Sequence, residues 1–448
     1  MNLKNDVITA IATAPGQGAI GIIRLSGDNV LEVLKKVFVA KASIHEFVSH
    51  RMYYGEIVFD GRLVDEVMVC PMLTPRSFTG EDTVEIYAHG GMLVLNEVLK
   101  AVLKSGARLA ENGEFSKRAF LNGRLNLSQA EAVMDIISAG SLSAKNAGLR
   151  LLGGGLTNRI NKVRDNILSW IAHIELSIDY PEHEEEAKNA AAILSEVDNV
   201  EKDLTELMGT AKIGRIFREG IKTAIIGRPN VGKSTLLNTI LSEDRAIVHE
   251  QAGTTRDVLT EQVRVHGLHL VIMDTAGIRS TIDPIEKIGV EKSIKTAQEA
   301  DLILYIADAT KGLTNADEDI LKELKNPLII MNKADLTVNC DESFIFISAK
   351  TGQGITTLFA QIAEKFNSSY KTSLPQESDI ITRERHRILI EKAVEYIEEA
   401  KKELINKVPE DLVSISLRTA YLALGEILGE ETDDDIVDKI FEEFCLGK

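Results

Sequence analysis

The sequence predicts a multidomain α/β protein: an N-terminal α+β domain, then a discontinuous all-α helical domain that carries an inserted doubly wound α/β domain. Three observations predict this architecture. The chain has 448 residues, which is too long for one ordinary hydrophobic core. An apolar strand, a glycine-rich loop and a helical pattern follow one another from residue 221. Segments whose apolar residues recur every three or four positions lie on both sides of that pattern.

The pattern of residues 1–120 predicts the N-terminal α+β domain. Short runs rich in β-branched and aromatic residues favour strands, and longer amphipathic stretches favour helices. The predicted strands are 21–27, 52–59, 64–73 and 82–91, and the predicted helices lie near 29–39 and 92–105. Such a mixture is typical of an α+β domain.

Helical periodicity predicts one all-α domain in two parts, residues 121–216 and 372–448. The helical patterns occupy 127–179, 383–405 and 410–429. Residues 217–371 between the two parts are predicted to form the inserted α/β domain. Because helices flank the insertion on both sides, motion within it can be passed into the helical domain.

Composition and charge limit the classes of function. With 44% apolar and 27% charged residues, the chain is typical of a soluble globular protein. Its net charge of −17 is opposite to that of a protein whose main task is to grip phosphate backbones, so contact with RNA needs a local patch or a separate partner. The acidic runs at 181–188 and 431–435 are predicted to be solvated surface.

The cysteines and the hydropathy pattern predict a cytoplasmic protein. Cys70, Cys340 and Cys445 are too few and too scattered for a disulfide framework, and no cysteine or histidine spacing suggests structural zinc. The N-terminus lacks the basic start and apolar run of a secretion signal. No apolar run approaches the roughly 18 residues of a membrane span, so we expect no membrane association.

A phosphate-binding loop is predicted where the strand IKTAIIG meets GRPNVGKST, because this sequence matches G-x-x-x-x-G-K-[ST] between a strand and a helix. Gly227 and Gly232 let main-chain N–H groups converge on phosphate oxygens at a helix N-terminus. Lys233 is predicted to reach the β- and γ-phosphates, and Ser234 to bind Mg²⁺. Taken alone the pattern also fits an ordinary glycine-rich turn, an alternative that its setting removes.

Three later motifs follow predicted strands in the order of a guanine-nucleotide site. In DTAG, Asp274 is predicted to bind the metal through water, and the Gly277 N–H to sense the γ-phosphate. In NKAD, the Asp335 carboxylate can pair with the N1–H and 2-amino group of guanine. The SAK turn at 348–350 suits the guanine carbonyl. With all four motifs in order, this segment resembles the Ras-like GTPases.

Two positions refine the expected hydrolysis. Ras-type enzymes place a water-orienting glutamine after DTAG, and this chain has Ile278 there, so the domain is either nearly inert or uses another group. GTPases with an asparagine at the position of Asn230 use its oxygen to help hold a K⁺ that neutralises charge on the leaving group. Thr255 then fits the second Mg²⁺ ligand, and Thr254 the K⁺ loop. Asn230 is explained equally well as an Asx-type turn residue.

Four sequence blocks point to one family. They are FTGEDTVEIYAHGG, GEFSKRAFLNGRLNLSQAEAV, the run GRPNVGKST–GTTRD–DTAGIR, and the terminal CLGK. In this order, and over essentially the whole chain, they resemble the MnmE (TrmE) family of tRNA-modification GTPases. Bacterial ribosome-assembly GTPases share the phosphate-binding loop, but they typically carry a second G domain or a KH-type module, and the sequence shows the pattern of neither.

The resemblance implies a K⁺-dependent GTPase with Mg²⁺ and one K⁺ per G domain. It implies a homodimer through the N-terminal domain, which binds a tetrahydrofolate derivative, 5,10-methylene- or 5-formyl-tetrahydrofolate. With the FAD-dependent partner MnmG, in a heterotetrameric or larger complex, such an enzyme adds an aminomethyl or carboxymethylaminomethyl group at C5 of the wobble uridine of tRNA. The competing interpretation is a GTP-regulated assembly or signalling factor whose N-terminal domain only binds a protein.

The resemblance also implies binding residues. Folate contacts fall on Arg24, Glu85 and Arg124, with Lys448 nearby: a carboxylate suits the amino and N–H edge of a pterin, and cations suit the carboxylate tail. Each of these side chains is also explained as an ordinary strand or surface charge. The GTP contacts are Asn230, Val231, Gly232, Lys233, Ser234, Thr235, His249, Gln251, Thr254, Thr255, Asp274, Thr275, Ala276, Gly277, Asn332, Lys333, Asp335, Ser348, Ala349 and Lys350. The Mg²⁺ ligands are Ser234 and Thr255, and the K⁺ ligands are Asn230, His249, Gln251 and Thr254.

Two residues receive catalytic roles by the same resemblance. Glu286 corresponds to a carboxylate that orients the attacking water through an intervening water, although alone it is explained as a helix-surface glutamate. Cys445 corresponds to a thiol near the folate site, where it is either reactive or a small structural residue. A prenylation signal fits poorly, because Gly447 and Lys448 stand where an aliphatic residue and a typical end residue are needed.

Overall fold

The structure is a computed structural model that describes residues 6–179, 190–243, 261–265, 267–273, 294–337, 343–370, 379–430 and 432–447. The chain packs into two compact units. The first is formed by Met1–Met134, Leu152–Lys188 and Glu395–Lys448, and the second by Asp135–Leu151 and Asn189–Val394. The domain bounds given above stay predictions.

The described residues form thirteen strands and fourteen helices. The strands are β1 (Ile8–Ile11), β2 (Ile20–Ser26), β3 (Phe38–Ala40), β4 (Tyr53–Phe59), β5 (Arg62–Met72), β6 (Thr83–His89), β7 (Arg108–Leu109), β8 (Ile221–Ile226), β9 (Glu261–Val265), β10 (Leu268–Ile272), β11 (Leu302–Asp308), β12 (Leu328–Asn332) and β13 (Ile345–Phe346). The helices are α1 (Val30–Lys35), α2 (Met92–Lys104), α3 (Glu114–Leu121), α4 (Leu127–Ile137), α5 (Leu142–Leu152), α6 (Gly155–Asp179), α7 (Ala190–Gly209), α8 (Ala211–Glu219), α9 (Lys233–Glu243), α10 (Asn315–Glu323), α11 (Ile355–Tyr370), α12 (Glu384–Ile405), α13 (Glu410–Leu428) and α14 (Asp434–Glu442). A short 3₁₀ helix spans Ala334–Leu336.

The first unit is built on a seven-stranded sheet in the order β3-β4-β5-β6-β2-β1-β7. Its neighbours are antiparallel except for β1 and β7. Alternate residues of each strand point to opposite faces. Ile23, Leu25, Val84 and Ile86 are fully buried in a core shared with α1 and α2. The opposite face carries Arg24 of β2 and Glu85 of β6.

Helices complete the first unit. Helix α13 packs along α6, and Arg164 of α6 lies 4.2 Å from the ring centroid of Tyr421 of α13. At the C-terminus, Asp433 caps α14 by accepting a hydrogen bond from Asp435 N at 3.0 Å, while Phe441 and Phe444 are buried with Leu127 of α4. No helix in the described ranges combines the length and the apolar character needed to cross a bilayer.

The second unit contains the predicted doubly wound sheet, with strand order β13-β12-β11-β8-β10-β9. Strands β13, β12, β11, β8 and β10 are parallel, and β9 is antiparallel at the edge. Every residue of β11 is buried, as expected for a central strand with both faces covered. Leu236 of α9 and Leu358 of α11 lie in the core on one face, and Tyr305 and Ala307 lie in the core on the other.

Some predicted elements differ from the structure. The prediction of a helix to about residue 39 is wrong, because α1 ends at Lys35 and Phe38–Ala40 pairs with β4, which suits its aromatic and β-branched residues. The strand predicted before the turn at 348–350 spans only Ile345–Phe346. Strands β1, β3, β7 and β9 were not predicted.

Candidate functional sites

The phosphate-binding loop connects β8 to α9, as the motif predicts. Asn230 and Gly232 both have positive φ, 63° and 101°. A Cβ added to Gly232 would lie 2.2 Å from Asn332 Nδ2. The second glycine of the motif is therefore required both by backbone conformation and by the close approach of a side chain.

Lys233 begins α9 and turns back across the loop. Its Nζ donates to the main-chain oxygens of Gly227 at 2.7 Å and Arg228 at 2.9 Å. Burial lowers the pKa of Lys233 from its ordinary value, because a buried ammonium loses hydration. The ammonium group therefore lies against the phosphate-binding loop, where the motif predicts a contact with phosphate.

Asn332 ties the phosphate-binding loop to the two guanine-side motifs. Its Nδ2 donates to the main-chain oxygen of Val231 at 2.8 Å, and its Oδ1 accepts from Ala349 N at 2.9 Å. Thr239 of α9 adds a bond from Oγ1 to the main-chain oxygen of Ala349 at 2.6 Å. Residues more than one hundred positions apart therefore meet at the carboxyl ends of β8 and β12, where doubly wound sheets bind ligands.

The other guanine-side residues are placed around this link. Lys333 has a φ of 67°, and its Nζ donates to Asp308 Oδ2 at 2.6 Å. Burial raises the pKa of Asp308, but hydrogen bonds from Lys333 and Thr310 lower it more, so the pKa lies below its ordinary value. Asp335 lies exposed in the 3₁₀ helix, free to meet a base edge. Ser348 Oγ accepts from Thr351 N at 3.2 Å and shapes the turn before Lys350.

Much of the predicted catalytic apparatus lies outside the described residues. Asn230 and Thr235 are exposed and Ser234 is half-buried within the described part of the loop. The residues of the predicted site that lie outside are His249, Gln251, Thr254, Thr255, Asp274, Thr275, Ala276, Gly277, Glu286 and Lys448, together with Ile278. Their roles stay predictions.

A second polar site lies on the open face of the first sheet. Arg24 of β2 and Glu85 of β6 are register partners, and their side chains are 14% and 12% exposed. Arg24 Nε and Nη2 donate to Glu85 Oε1 at 3.0 and 2.8 Å, and Tyr87 Oη donates to Oε2 at 2.6 Å. Arg24 Nη1 is buried and has no hydrogen-bond partner within the described residues. The site therefore holds one ion pair and one unsatisfied cationic donor.

The segment 77–81 joins Arg124 to this ion pair. Arg124 Nε donates to the main-chain oxygen of Ser77 at 3.1 Å. The ring of the next residue, Phe78, has its centroid 5.3 Å from Arg24 Cζ, within cation–π range. Two predicted folate cations that are distant in sequence therefore contact consecutive residues of one loop.

A buried ion network holds that loop in place. Arg118, which is 3% exposed, donates to Asp6 Oδ1 at 2.6 Å, Glu114 Oε1 at 3.1 Å and Glu81 Oε2 at 3.2 Å. Glu81 Oε2 also accepts from Ser26 Oγ at 2.9 Å. Because each buried charge has an opposite partner, the network can fix the loop without leaving an isolated charge.

The C-terminal tail reaches the same sheet. Phe444 is buried, Cys445 is exposed, and a Cβ added to Gly447 would lie 2.5 Å from the main-chain oxygen of Ile11 in β1. Gly447 has a φ of 88°. The tail therefore lies against the C-terminal end of β1, two strands from the strand that carries Glu85.

Several residues of these sites were not predicted from the sequence. Tyr87 could have been found from the period of two, because it follows Glu85 by two positions on one strand. Asp308, Glu81 and Arg118 gave no usable signal, since their partners are set by the tertiary fold.

Comparison with known proteins gives two family models. The model described as the MnmE helical domain matches residues 127–445, and the model described as the GTP-binding protein TrmE N-terminus matches residues 7–124. The chain is 44% identical over 451 residues to the tRNA modification GTPase MnmE of Streptococcus mutans, covering 99% of each chain. It is 45% identical over 456 residues to a protein of the same name from Streptococcus pneumoniae, again over 99% of each. It is 43% identical over 453 residues to that of Finegoldia magna, covering 99% of this chain and 100% of the other.

Proposed function

The chain belongs to the MnmE (TrmE) family of tRNA modification GTPases, and from this premise we propose that its GTP hydrolysis serves the addition of an aminomethyl or carboxymethylaminomethyl group at C5 of the wobble uridine of certain tRNAs. The observation that carries the proposal is the link through Asn332, which gathers the phosphate-binding loop and both guanine-side motifs at one sheet edge. A site so assembled suits one guanine nucleotide.

GTP would lie with its phosphates on the N–H groups of residues 230–235 and its base against Asp335 and the turn at 348–350. Lys233 would exchange the two carbonyls that it now contacts for phosphate oxygens. Ser234 and Thr255 would hold Mg²⁺, which neutralises charge on the phosphates. Glu286 is proposed to orient the attacking water.

K⁺ dependence is supported by the conformation of Asn230. Its backbone is left-handed and its side chain is exposed, without a hydrogen bond inside the described part of the chain. An Asx turn would require its oxygen to accept a main-chain N–H, a bond that the described residues do not show, and the left-handed backbone by itself suits either role. We propose that Asn230, with His249, Gln251 and Thr254, holds one K⁺ in each G domain.

The site around Arg24 is proposed to bind the tetrahydrofolate derivative that carries the one-carbon group. The buried, unpaired Nη1 of Arg24 is costly unless an acceptor reaches it, and a pterin can supply that acceptor. Arg124 and Lys448 would face the carboxylates of the folate tail. Cys445, exposed on a tail that reaches β1, is proposed to act on the one-carbon group.

A homodimer through the N-terminal domain is supported by the open face of the first sheet. Tyr54, Met68 and Tyr87 are register partners across β4, β5 and β6. Tyr54 and Met68 are 49% and 37% exposed, and exposed apolar neighbours of this kind mark contact surfaces. We propose that a second copy of the chain covers this surface.

We propose that MnmG, with its FAD, completes the complex and that tRNA is the substrate of this complex.

Two measurements test the function against its competitor. Nucleoside mass spectrometry of tRNA from a strain lacking this gene should show unmodified wobble uridine, restored by the intact gene but not by a Lys233→Ala variant. Isothermal titration of the full chain with 5-formyltetrahydrofolate should show binding. Fully modified tRNA in the deletion strain, together with no folate binding, would favour an assembly or signalling factor.

A further inference from the structure

Glu85 lies at the centre of a hydrogen-bonded group on the open face of the first sheet. Arg24 approaches Oε1 with two donors, Nε and Nη2, while Tyr87 Oη donates to Oε2 at 2.6 Å. The three side chains share one face because Arg24 and Glu85 are register partners and Tyr87 is two positions further along β6. The carboxylate is thus held at both oxygens.

Little acceptor capacity remains on Glu85. A carboxylate offers about four acceptor positions, two on each oxygen. Arg24 uses both positions of Oε1 and Tyr87 uses one of Oε2, which leaves a single position on Oε2. A ligand edge with two adjacent N–H donors therefore exceeds what Glu85 accepts in this arrangement. This revises the simple expectation that the carboxylate takes the amino and N–H edge of a pterin.

Arg24 provides the complementary group. Its Nη1 is buried and has no hydrogen-bond partner among the described residues. Because the guanidinium is planar, the contacts that fix Glu85 also fix the direction of Nη1. The pair consequently presents one acceptor and one donor. On a pterin, the carbonyl oxygen at C4 is a strong acceptor, and it neighbours the N3–H donor.

We propose that Tyr87 is a specificity-determining positioning residue, which restricts the site to the lactam edge of the pterin: N3–H donates to Glu85 and the C4 oxygen accepts from Arg24. This proposal rests on the proposed folate function and deepens it by naming the edge that is recognised. The hydroxyl remains a donor at working pH, because burial and the charge of Glu85 raise the pKa of Tyr87.

The ligand arm of the test uses the full chain and isothermal titration. Its two ligands are 5-formyltetrahydrofolate and the 2-desamino-2-methyl analogue, which lacks the amino group but keeps N3–H and the C4 oxygen. The affinities are expected to agree within about threefold, since the 2-amino group is not used. A loss of more than about tenfold with the analogue would show that Glu85 takes the two-donor edge, and would overturn the proposal.

The protein arm compares Tyr87→Phe with Tyr305→Phe. Tyr305 is a matched control, because its Oη also donates to a carboxylate, Asp317 Oδ1 at 2.8 Å, and it lies in the second unit. Tyr87→Phe is expected to weaken binding of 5-formyltetrahydrofolate by about tenfold, and Tyr305→Phe to leave it unchanged. In a Glu85→Gln background, Tyr87→Phe should have no further effect, whereas a packing role would lower affinity in both backgrounds.

The outcomes distinguish the proposed role of Tyr87 from the proposed folate binding on which it rests. If the wild-type chain binds neither ligand, the folate function itself fails. If the wild-type chain binds both, and Tyr87→Phe binds as tightly as the wild type, the positioning role of Tyr87 is wrong while the folate function stands.

Discussion

Asn332 Nδ2 donates to the main-chain oxygen of Val231 at 2.8 Å, so the guanine-side motif holds the phosphate-binding loop directly. The other end of the same amide accepts from Ala349 N. One buried side chain, 3% exposed, therefore sets the distance between the sites for base and phosphate. A nucleotide that spans them is recognised as a unit.

Asn332→Ala is expected to weaken GTP binding by at least about tenfold, because the loops lose their link and two buried main-chain groups lose their partners, at about 1–3 kcal/mol each. Titration with a fluorescent GTP analogue measures this. Asn199→Ala is the control, since Asn199 lies on α7 and bonds only its own helix, at Ser195 O, in the described residues. Equal GTP affinity in the two variants would contradict the linking role.

Gly232→Ala is expected to abolish nucleotide binding. The new Cβ would lie 2.2 Å from Asn332 Nδ2 and would sit on a backbone with φ of 101°. Gly312→Ala isolates the backbone effect, because Gly312 has a φ of 65° with open space around it. That control should lose about 1–2 kcal/mol of stability and keep GTP binding. If both variants lost nucleotide binding, the cause would be backbone strain and not the close approach of Asn332.

The arrangement of the phosphate-binding loop was largely predictable from the sequence, and that of the proposed folate site was not. The residues of the phosphate-binding loop are neighbours in sequence, so their spacing encodes their geometry. Arg24 and Glu85 are 61 positions apart, and only strand register brings them together. Strands β1, β3, β7 and β9 were not predicted, because none of them precedes a recognised nucleotide motif as β10, β12 and β13 do at similar lengths.

GTP turnover is expected to be strongly faster in KCl than in NaCl, and removal of the Asn230 side chain should abolish the difference. Two variants separate side chain from backbone, because φ at Asn230 is 63°. Asn230→Gly keeps the conformation at no steric cost, whereas Asn230→Ala adds a strain of about 1–2 kcal/mol. Both should lose the K⁺ effect, and only the alanine variant should melt earlier. A K⁺ effect that survives in Asn230→Gly would exclude this ligand.

The contribution of Glu114 to the free energy of unfolding is expected to disappear as the pH is lowered. Burial raises the pKa of Glu114, but Arg108 and the Glu111 N–H lower it more, so it lies below the ordinary 4.5. A depressed carboxyl pKa adds stability above the unfolded value, and this is lost as pH falls through the folded value. Glu114→Gln should therefore lower the free energy of unfolding by about 1.5–3 kcal/mol near pH 7, because the hydrogen bonds to Arg108 and Arg118 lose their charged acceptor. The loss should become progressively smaller below pH 4.5.

Denaturant unfolding between pH 7 and pH 4 measures that gap. Glu32→Gln is the control, because Glu32 pairs with Lys35 on the surface and should change nothing measurable. A gap between wild type and Glu114→Gln that stays constant with pH would mean that the loss comes from packing and not from charge.

The two described cysteines are expected to react with iodoacetamide at very different rates. Cys445 is exposed, whereas Cys70 is half-buried. Burial and the Glu85 carboxylate raise the pKa of Cys70, so less of its reactive thiolate is present near pH 7.5. Peptide mapping over time should show Cys445 modified first. Equal rates would mean that the Cys70 environment is more open than its position beside Glu85 implies.

Cys445→Ser is expected to separate the two activities of the enzyme. The tail lies against β1 in the first unit, while the residues that gather around Asn332 belong to the second. GTP hydrolysis in K⁺ should therefore be unchanged, and tRNA modification measured with MnmG should be lost, because serine is a far weaker nucleophile than a thiolate. Full modification by Cys445→Ser would show that residue 445 is only a small structural element of the tail.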